Sequence, residues 1–369
     1  MMSRNCGFDE NPNRKWLRAL IRYPAAQIGA GFGDRYVVNW HRTGKTGERT
    51  ITMTQNRPPI AVIGGGVIGL TSAARLLEQG CPVTVYARET TPHTTSDVAG
   101  AYWAPGALFG DDRMHTWALA GLAALRQFAG DPASGVRLNW LNELTSHPIE
   151  TPDLGPALAV APVAPGRFPA PWAGFRVRVP QVDTPIYMPW LLRHVLRLGG
   201  RVQARTIERL DELAGAYPVI VNCTGLGAQA LTGDPMFPVR GQVIRVRIPP
   251  ALSSEMVSAE EPDEITYIIP RSQDCLLGGT YHHGDARTEV DPTIAVAILA
   301  RCVALAPALA DAAVIEHRVG LRPGRRAVRL EAEPLGRGAT VIHNYGHGAL
   351  GHTLAWGCAG AVAALVASL

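Results

Sequence analysis

The segment that most restricts the fold is a short apolar run that leads straight into a glycine-rich loop. Ile60-Ala61-Val62-Ile63 is typical of a strand buried on both faces, and Gly64-Gly65-Gly66-Val67-Ile68-Gly69 follows it. A helical pattern then covers residues 70–77, Gly80 ends it, and residues 82–87 form a second apolar run. A strand–loop–helix–strand unit of this kind predicts a parallel sheet and a dinucleotide site.

Each glycine of the loop has its own expected role. Gly64 permits the tight turn, Gly66 lets a pyrophosphate approach the backbone, and Gly69 lets the helix pack on the strand. The phosphate would lie at a helix N-terminus, where unpaired N–H groups and the helix dipole favour negative charge. A glycine-rich turn without a ligand is the competing interpretation.

The residues after the second strand leave the nucleotide open. An acidic residue is expected about 20 positions beyond the loop to bind a ribose, and Glu89 lies there. Its neighbour Arg88 could instead mark a phosphorylated ribose. The glycine pattern by itself does not separate FAD from NAD(P).

Composition excludes several other functions. Residues 1–57 hold 10 Lys or Arg and 4 Asp or Glu, so the other residues of the chain hold 25 basic and 27 acidic ones. That near-neutral body lacks the basic face that nucleic acid requires. Lys15 and Lys45 are the only lysines, so Schiff-base chemistry and Walker-type phosphate binding are excluded after residue 45. The 6 cysteines form no C-x-x-C pair, which argues against a zinc ribbon or a disulfide framework.

Residues 1–57 are predicted to be an N-terminal extension that carries no chemistry. They show no sustained helical or strand period, although a short helix over residues 16–21 is possible. The segment is expected to be disordered, or else the chain's true start is Met53; both interpretations stay open.

The remaining patterns predict two interleaved domains. Asp183-Thr184-Pro185 begins a helix that buries Met188, Leu191, Leu192, Val195 and Leu198 and stops at Gly199. Residues 219–222 form another buried strand, residues 129–175 are irregular with short strands, and residues 242–248, 265–269 and 275–280 form antiparallel strands. The predicted fold is α/β: a Rossmann-like dinucleotide-binding domain (58–100, 184–236 and 318–369) interleaved with an α+β substrate domain on a largely antiparallel sheet (101–183 and 237–317).

The last 27 residues contain no Asp, Glu, Lys or Arg. Such a stretch is long enough to span a membrane, but its histidines and its Ala/Gly-rich composition favour a buried terminal helix from about Leu350.

The other clusters of reactive residues are given structural roles. His343, His347, His282 and His283 are interpreted as hydrogen-bonded structural histidines, and no metal site is predicted. Asp111-Asp112 is taken as a loop pair, and Cys223 and Cys358 as inert.

Five blocks of sequence in order along residues 60–369 resemble the D-amino acid oxidase family. They are residues 94–105 (TTSDVAGAYWAP) with Tyr86-Ala87 before them, 221–225 (VNCTG), 267–270 (YIIP), 319–323 (VGLRP), and 343–348 (HNYGHG) with Gly351, Thr353 and Trp356-Gly357-Cys358. The resemblance implies a non-covalently bound, extended FAD.

By that resemblance, the glycine loop holds the pyrophosphate, Arg88 and Glu89 border the adenosine, Ile207 offers its backbone to the adenine, and residues 95–102 line the flavin. The residues expected to bind the cofactor are Gly64, Gly66, Val67, Ile68, Gly69, Arg88, Glu89, Thr95, Ser96, Gly100, Ala101, Tyr102, Ile207, Gly225, Arg322, Gly348, Ala349, Gly351 and Thr353.

The resemblance also assigns the substrate contacts. Arg322 matches the arginine that binds the amino-acid carboxylate, for which a planar two-pronged donor is suited. Tyr267 matches the tyrosine that shares this carboxylate, so these two are the expected catalytic residues. Ile269 forms an apolar wall and the carbonyl of Ala349 faces the amine. The implied reaction is hydride transfer from the substrate Cα to flavin N5; the imino acid hydrolyses to a keto acid and ammonia, and oxygen is reduced to hydrogen peroxide.

Three positions depart from the family pattern. Asp263 stands where vertebrate-type members carry a second tyrosine, Ala349 replaces a glycine, and Ala104 replaces a polar pocket residue. Basic pocket residues for D-aspartate are not evident, although Arg271, His282 or His283 could reach in. Neutral D-amino acids are therefore the expected substrates.

The alternatives are a D-aspartate, glycine or sarcosine oxidase of the same fold, or a catalytically degenerate dinucleotide-binding protein. The lack of lysine after residue 45 argues against sarcosine-oxidase-type chemistry, for which resemblance implies an active-site lysine. The expected partners are a small-molecule substrate and oxygen, with a homodimer possible and neither nucleic acid nor membrane as a partner. The expected location is the cytoplasm of a bacterium; the C-terminal Ala-Ser-Leu is only faintly similar to a peroxisomal signal.

Overall fold

The computed structural model describes residues 37–42, 49–54, 57–147, 151–260 and 265–369. The helix predicted over residues 16–21 and the position of Asp263 lie outside them. Within the predicted extension, Val37–Arg42 pairs antiparallel with Arg49–Thr54, two strands that the sequence pattern did not predict. That residues 1–57 carry no chemistry stays a prediction.

The described helices of four or more residues are α1 (Val67–Glu78), α2 (Thr95–Val98), α3 (Asp112–Phe128), α4 (Thr184–Arg197), α5 (Ala228–Thr232), α6 (Pro292–Leu305) and α7 (Gly351–Ser368). The described strands are β1 (Val37–Arg42), β2 (Arg49–Thr54), β3 (Ile60–Ile63), β4 (Val83–Ala87), β5 (Ala101–Tyr102), β6 (Val136–Thr145), β7 (Val160–Pro162), β8 (Ala173–Val182), β9 (Arg201–Ala204), β10 (Val219–Asn222), β11 (Phe237–Val246), β12 (Met256–Glu260), β13 (Ile265–Pro270), β14 (Cys275–Gly278), β15 (His282–His283), β16 (Val314–Gly324), β17 (Arg329–Gly336) and β18 (Ala339–Tyr345).

A six-stranded sheet forms the Rossmann-like half of the molecule. Its order is β17-β18-β10-β3-β4-β9, and every neighbouring pair is parallel except β17 with β18. All four residues of β3 are buried, because helices cover one face of the sheet and the segment around residues 207–213 covers the other. The predicted parallel sheet is confirmed. The glycine loop follows β3, one of its central strands.

A larger sheet forms the second half. Its order is β15-β11-β14-β13-β12-β6-β8-β5, with β16 also paired to β11 and β7 to β8. Most of these pairs are antiparallel, as predicted. Leu141, Tyr267 and Ile269 belong to the core shared with the first half, whereas Leu144 and Ile268 pack with residues of α6. The large sheet therefore has one face toward the cofactor half and one face toward α6.

Two sequence predictions in this half need correction. Residues 129–175 were expected to be irregular with short strands, but β6 has 10 residues and β8 begins at Ala173. The pattern of β6 misled the prediction because its polar residues Asn142, which is buried, and Glu143, which is half-buried, interrupt the alternation of apolar and polar residues. The strand predicted at 242–248 spans Phe237–Val246. The two-domain division stays a prediction, and its boundary at 317/318 falls inside β16.

The apolar C-terminus forms a buried helix, as predicted. Helix α7 packs against α1 and α3, and glycines allow close contact: a Cβ on Gly121 would lie 2.1 Å from the Thr353 carbonyl oxygen, and one on Gly357 would lie 2.1 Å from the Trp117 carbonyl oxygen. Gly348–Ser368 is long and apolar enough to cross a membrane, with a mean hydropathy of 1.5, and 56% of this stretch is buried inside the protein.

Helix α4 also begins where Asp183-Thr184-Pro185 predicted, and it buries Met188, Leu191 and Val195. Leu192 and Leu198, which were expected to be buried, are half-buried.

Candidate cofactor and substrate site

The glycine loop has the close packing that its sequence predicted. Gly64 adopts φ +122°, and a Cβ there would lie 2.4 Å from the carbonyl oxygen of Cys223. A Cβ on Gly69 would lie 1.9 Å from the carbonyl oxygen of Gly64. No side chain fits at either position, so the loop brings α1 directly against the end of β3.

The start of α1 is suited to an anion. Gly66 occupies the N-cap position, carries no capping side chain, and is followed by a first turn without an acidic residue. Val67 N–H donates to the Ser96 hydroxyl at 3.0 Å, while Ile68 and Gly69 provide further N–H groups of the first turn. Unpaired donors and the positive end of the helix dipole favour a pyrophosphate here.

The residues predicted to border the adenosine lie beside the glycine loop and against the six-stranded sheet. The carbonyl oxygen of Glu89 is 2.6 Å from where a Cβ on Gly65 would stand, so Glu89 borders the glycine loop. Arg88 and Glu89 are exposed, and their charged groups are 4.0 Å apart. Ile207 is buried with Ile63 and Tyr86.

The segment 95–102 is fixed between the glycine loop and the start of α7. Asp97, which is buried, accepts hydrogen bonds from Thr94 N–H at 3.0 Å and from the hydroxyls of Thr94 and Thr91 at 2.6 Å each. The Thr353 hydroxyl accepts from Ala104 N–H at 3.1 Å. The predicted flavin-side residues therefore share one rigid frame, from Thr95 and Ser96 through Gly100, Ala101 and Tyr102.

Two residues of this frame were missed in the sequence analysis. Asp97 caps the short helix α2 in a Thr-x-x-Asp pattern that could have been recognised. The ring of His352 bonds through Nε2 to the Ser96 carbonyl oxygen at 3.1 Å, a contact between distant parts of the chain that no local pattern signals.

Arg322 lies on β16, and its side chain passes over Gly241 of the neighbouring strand β11. Its guanidinium is 2.5 Å from where a Cβ on Gly241 would stand. It donates to the Thr280 carbonyl oxygen at 3.0 Å and lies 5.1 Å from the centre of the Tyr281 ring. Glycine at 241 therefore gives the arginine room to reach across β11. Neither Gly241 nor Tyr281 was recognised from the sequence.

Tyr267 meets Arg322 on the same face. Burial raises the pKa of Tyr267, and the charge of Arg322 and a hydrogen bond with it oppose this shift. The Tyr267 ring lies against Gly278, where a Cβ would be 2.1 Å from it. A Cβ on Gly100 would lie 2.7 Å from Ile269 Cδ1 and 3.3 Å from Tyr267 Cε2. The predicted substrate residues are thus brought to the predicted flavin segment.

The last predicted residues surround the same place. Gly225 (φ +58°) lies against Pro323, 3.6 Å from its Cβ, and Gly348 (φ +54°) lies 3.9 Å from the Tyr281 hydroxyl, both measured from an added Cβ. Ala349 is in an exposed turn before α7, and Gly351 begins that helix.

The histidines do not all fit the predicted pattern. His343 is hydrogen-bonded: its Nε2 is 2.9 Å from Glu333 Oε1 and its Nδ1 is 3.4 Å from Asn222 Nδ2. His347 was expected to be hydrogen-bonded too, but neither ring nitrogen has a partner among the described residues. Burial lowers the pKa of His347 to about 3, so the ring is neutral.

Comparison with known proteins identifies similar chains. The sequence profile of the family described as FAD dependent oxidoreductase matches residues 59–365. A D-amino-acid oxidase of Rubrobacter xylanophilus is 42% identical over 321 residues, covering 82% of this chain and 94% of that protein. A D-aspartate oxidase of Homo sapiens is 35% identical over 325 residues, covering 83% and 94%. The crystal structure of glycine oxidase from Geobacillus kaustophilus superimposes with a TM-score of 0.72 at 22% identity, covering 85% of this chain and 95% of that one; this likeness concerns the fold.

The residues present fit FAD as the cofactor. The side-chain-free cradle at Gly64, Gly66 and Gly69 and the N-terminus of α1, whose N-cap residue is a glycine, suit its pyrophosphate. Segment 95–102 leads from that cradle to Tyr267 and Ile269, where the flavin end must reach a substrate.

Proposed function

The chain belongs to the FAD-dependent oxidoreductase family, and we propose that it oxidises D-amino acids to imino acids, which hydrolyse to keto acids and ammonia while oxygen is reduced to hydrogen peroxide. The observation that carries the proposal is the convergence of Arg322 and Tyr267 on the face beside Gly100. When bound, FAD supplies the acceptor for the hydride that leaves the substrate Cα and passes the electron pair to oxygen.

Arg322 binds the substrate carboxylate in this proposal. A guanidinium presents two parallel N–H donors that match a carboxylate. The Arg322 guanidinium donates to the Thr280 carbonyl oxygen and lies within hydrogen-bond reach of the Tyr267 hydroxyl, so both groups can bind one carboxylate. Because burial raises the pKa of Tyr267, its hydroxyl stays protonated and donates a second hydrogen bond.

The substrate amine is bound in its neutral form, since a protonated amine has no electron pair to stabilise the forming imine. The carbonyl of Ala349 is the proposed acceptor for this amine. Fixing the carboxylate at one end and the amine at the other leaves only one hydrogen of Cα directed toward the flavin, which provides selection for the D-enantiomer.

The surroundings argue against D-aspartate. Arg271 is buried and donates to both Asp274 carboxylate oxygens, at 2.6 and 2.8 Å, so it does not offer a charge to a substrate. The ring of His283 is exposed and packs 5.0 Å from that of Tyr281 and 5.8 Å from that of Phe237, measured between ring centres. Neutral side chains fit against Ile269. A homodimer and a cytoplasmic location stay predictions from the sequence.

The test is the visible spectrum of the purified protein, recorded without oxygen before and after adding D-alanine and then L-alanine. We expect a flavin band near ~450 nm that only the D-form bleaches, and hydrogen peroxide on admitting air. A band that no D-amino acid bleaches would contradict the proposed activity, and a protein that binds no flavin would support the degenerate alternative.

A further inference from the structure

An acidic side chain stands opposite the substrate tyrosine across two strands. In the register of the large sheet, Ser258 pairs with Tyr267 on one side and with Glu143 on the other. Directly paired residues of neighbouring strands point to the same face. Glu260 lies two residues beyond Ser258 and therefore points to that face as well.

This is the substrate face of the sheet. Leu141, Tyr267 and Ile269 alternate with Leu144 and Ile268, which pack with α6 on the opposite side. Glu143, Glu260 and Tyr102 are half-buried, as are Tyr281 and Arg322. Partial exposure of these polar groups shows that solvent reaches the face of the sheet that carries Tyr267.

Among the residues that the structure describes, no cation pairs with either carboxyl group. The described groups that affect the pKa of Glu143 are Ser258 and Glu260, and neither is basic. Burial raises the pKa of Glu143 to about 7, a hydrogen bond with Ser258 opposes this, and the charge of Glu260 adds to it. Glu255, on the same part of the sheet, is by contrast paired with Arg167 and Arg176 at 2.5 and 2.7 Å.

The spacing matches a long substrate. The Tyr267 hydroxyl lies over Gly278 of β14, three strands from Glu143 on β6, so at about 4.8 Å per strand it is roughly 14 Å from the Glu143 backbone. The Glu143 carboxyl group is hydrogen-bonded to Ser258 and so lies toward β12, which shortens this distance. An extended lysine measures roughly 7–8 Å from carboxylate carbon to terminal nitrogen, and a hydrogen bond of about 2.8 Å at each end extends its reach to roughly 13 Å. A substrate anchored by its carboxylate at Arg322 and Tyr267 thus reaches Glu143 with its terminal amine.

We propose that Glu143, with Ser258 and Glu260 beside it, forms a subsite for a cationic side-chain end, so that the enzyme accepts basic D-amino acids such as D-lysine and D-ornithine. This rests on the proposed function and extends the predicted substrate class, which contained neutral side chains. The sequence analysis missed the site because Glu143 is far in the chain from Ser258 and Tyr267 and meets them only through strand pairing.

The test compares D-lysine with D-norleucine, which has the same carbon skeleton without the amine. Each is oxidised by the holoenzyme and by the Glu143→Gln and Ser258→Ala variants. We expect the ratio of kcat/KM for D-lysine to that for D-norleucine to fall at least about tenfold in Glu143→Gln, since a hydrogen bond between charged groups is lost, and less in Ser258→Ala. Glu331→Gln removes an equal charge on the surface, where Glu331 is 58% exposed, and should leave the ratio unchanged.

A binding measurement provides the second readout. Hexanoate and 6-aminohexanoate have a carboxylate but no α-amine, so neither is oxidised. Calorimetric titration of the holoenzyme should show a preference for 6-aminohexanoate that disappears in Glu143→Gln.

The outcomes separate the two proposals. If D-norleucine and D-alanine are not oxidised at all, the proposed function fails. If D-norleucine is oxidised but neither the D-lysine ratio nor the 6-aminohexanoate preference changes in Glu143→Gln, Glu143 has a structural role only and the subsite is wrong, while the proposed function stands.

Discussion

The two halves of the candidate site offer different kinds of groups to a ligand. On the cofactor side, the loop after β3 offers backbone N–H groups and space, both of which depend on glycines close together in sequence. On the substrate side, the large sheet offers the side chains of Arg322, Tyr267 and Glu143 from three different strands. A backbone site is therefore sensitive to added volume, whereas a side-chain site is sensitive to lost charge.

The largest effect on flavin binding is expected from a side chain added to the glycine loop. Gly69→Ala places a methyl group 1.9 Å from the Gly64 carbonyl oxygen, so α1 must move away from β3. We expect flavin content near zero and an unfolding free energy lower by about 3 kcal/mol, measured by absorbance and urea denaturation. Gly106→Ala, with nothing within 4 Å of the added atom, is the control and should behave as wild type. A Gly69→Ala protein that binds flavin fully would show that the cofactor side is not sensitive to added volume.

Loss of charge on the substrate side should spare the cofactor. Arg322→Ala is expected to keep its flavin but to lower kcat/KM for D-alanine by about 100-fold or more, because the substrate carboxylate loses its paired charge. Arg318→Ala, on the same strand and paired with Glu316 at 2.7 Å, should retain turnover. Steady-state kinetics with flavin content measured in parallel decides this, and unchanged turnover in Arg322→Ala would exclude the assigned role.

The proposed preference for a cationic side chain at Glu143 should depend on pH. Burial raises the pKa of Glu143 to about 7, so its carboxylate forms only as the pH rises through this value. The ratio of kcat/KM for D-lysine to that for D-norleucine should therefore rise from pH 6 to pH 8 by several-fold.

The groups facing Glu143 are Ser258 and Glu260 on β12, Tyr267 on β13, Tyr102 on β5 and Phe175 on β8. Burial raises the pKa of both tyrosines and of Glu260, so the tyrosines stay protonated in this range. A ratio independent of pH in wild type, or the same rise in Glu143→Gln, would assign the effect to another group.

The smallest effect on FAD binding is expected from loss of the hydrogen bond between Ser96 and the glycine loop. Ser96→Ala removes the acceptor of Val67 N–H, which is 3.0 Å away. A neutral hydrogen bond contributes about 1 kcal/mol, so the Kd for FAD should rise about fivefold. Thr116→Ala, whose hydroxyl bonds only within α3, serves as the comparison in a titration of the apoprotein. A 100-fold rise in this Kd would mean that Ser96 contacts the cofactor directly.

Local patterns predicted the elements whose residues are close in the chain. The buried run 60–63, the glycine loop and the start of α4 at Asp183 were found because capping, turn and strand preferences act over a few residues. The ten-residue strand β6 was missed because the polar residues Asn142 and Glu143 interrupt its alternation of apolar and polar residues. His347 was misjudged because hydrogen bonding of a buried ring depends on what packs around it.

The sequence by itself determined the dinucleotide-binding unit, and its resemblance to one family indicated FAD, Arg322 and Tyr267. These depend on residue type at fixed positions, such as glycines that no other residue can replace. Only the tertiary structure decided that Arg322 crosses Gly241 and that Glu143 pairs through Ser258 with Tyr267. The physical reason is strand pairing: register and face are set by the whole sheet, and they bring together side chains that are distant in the chain.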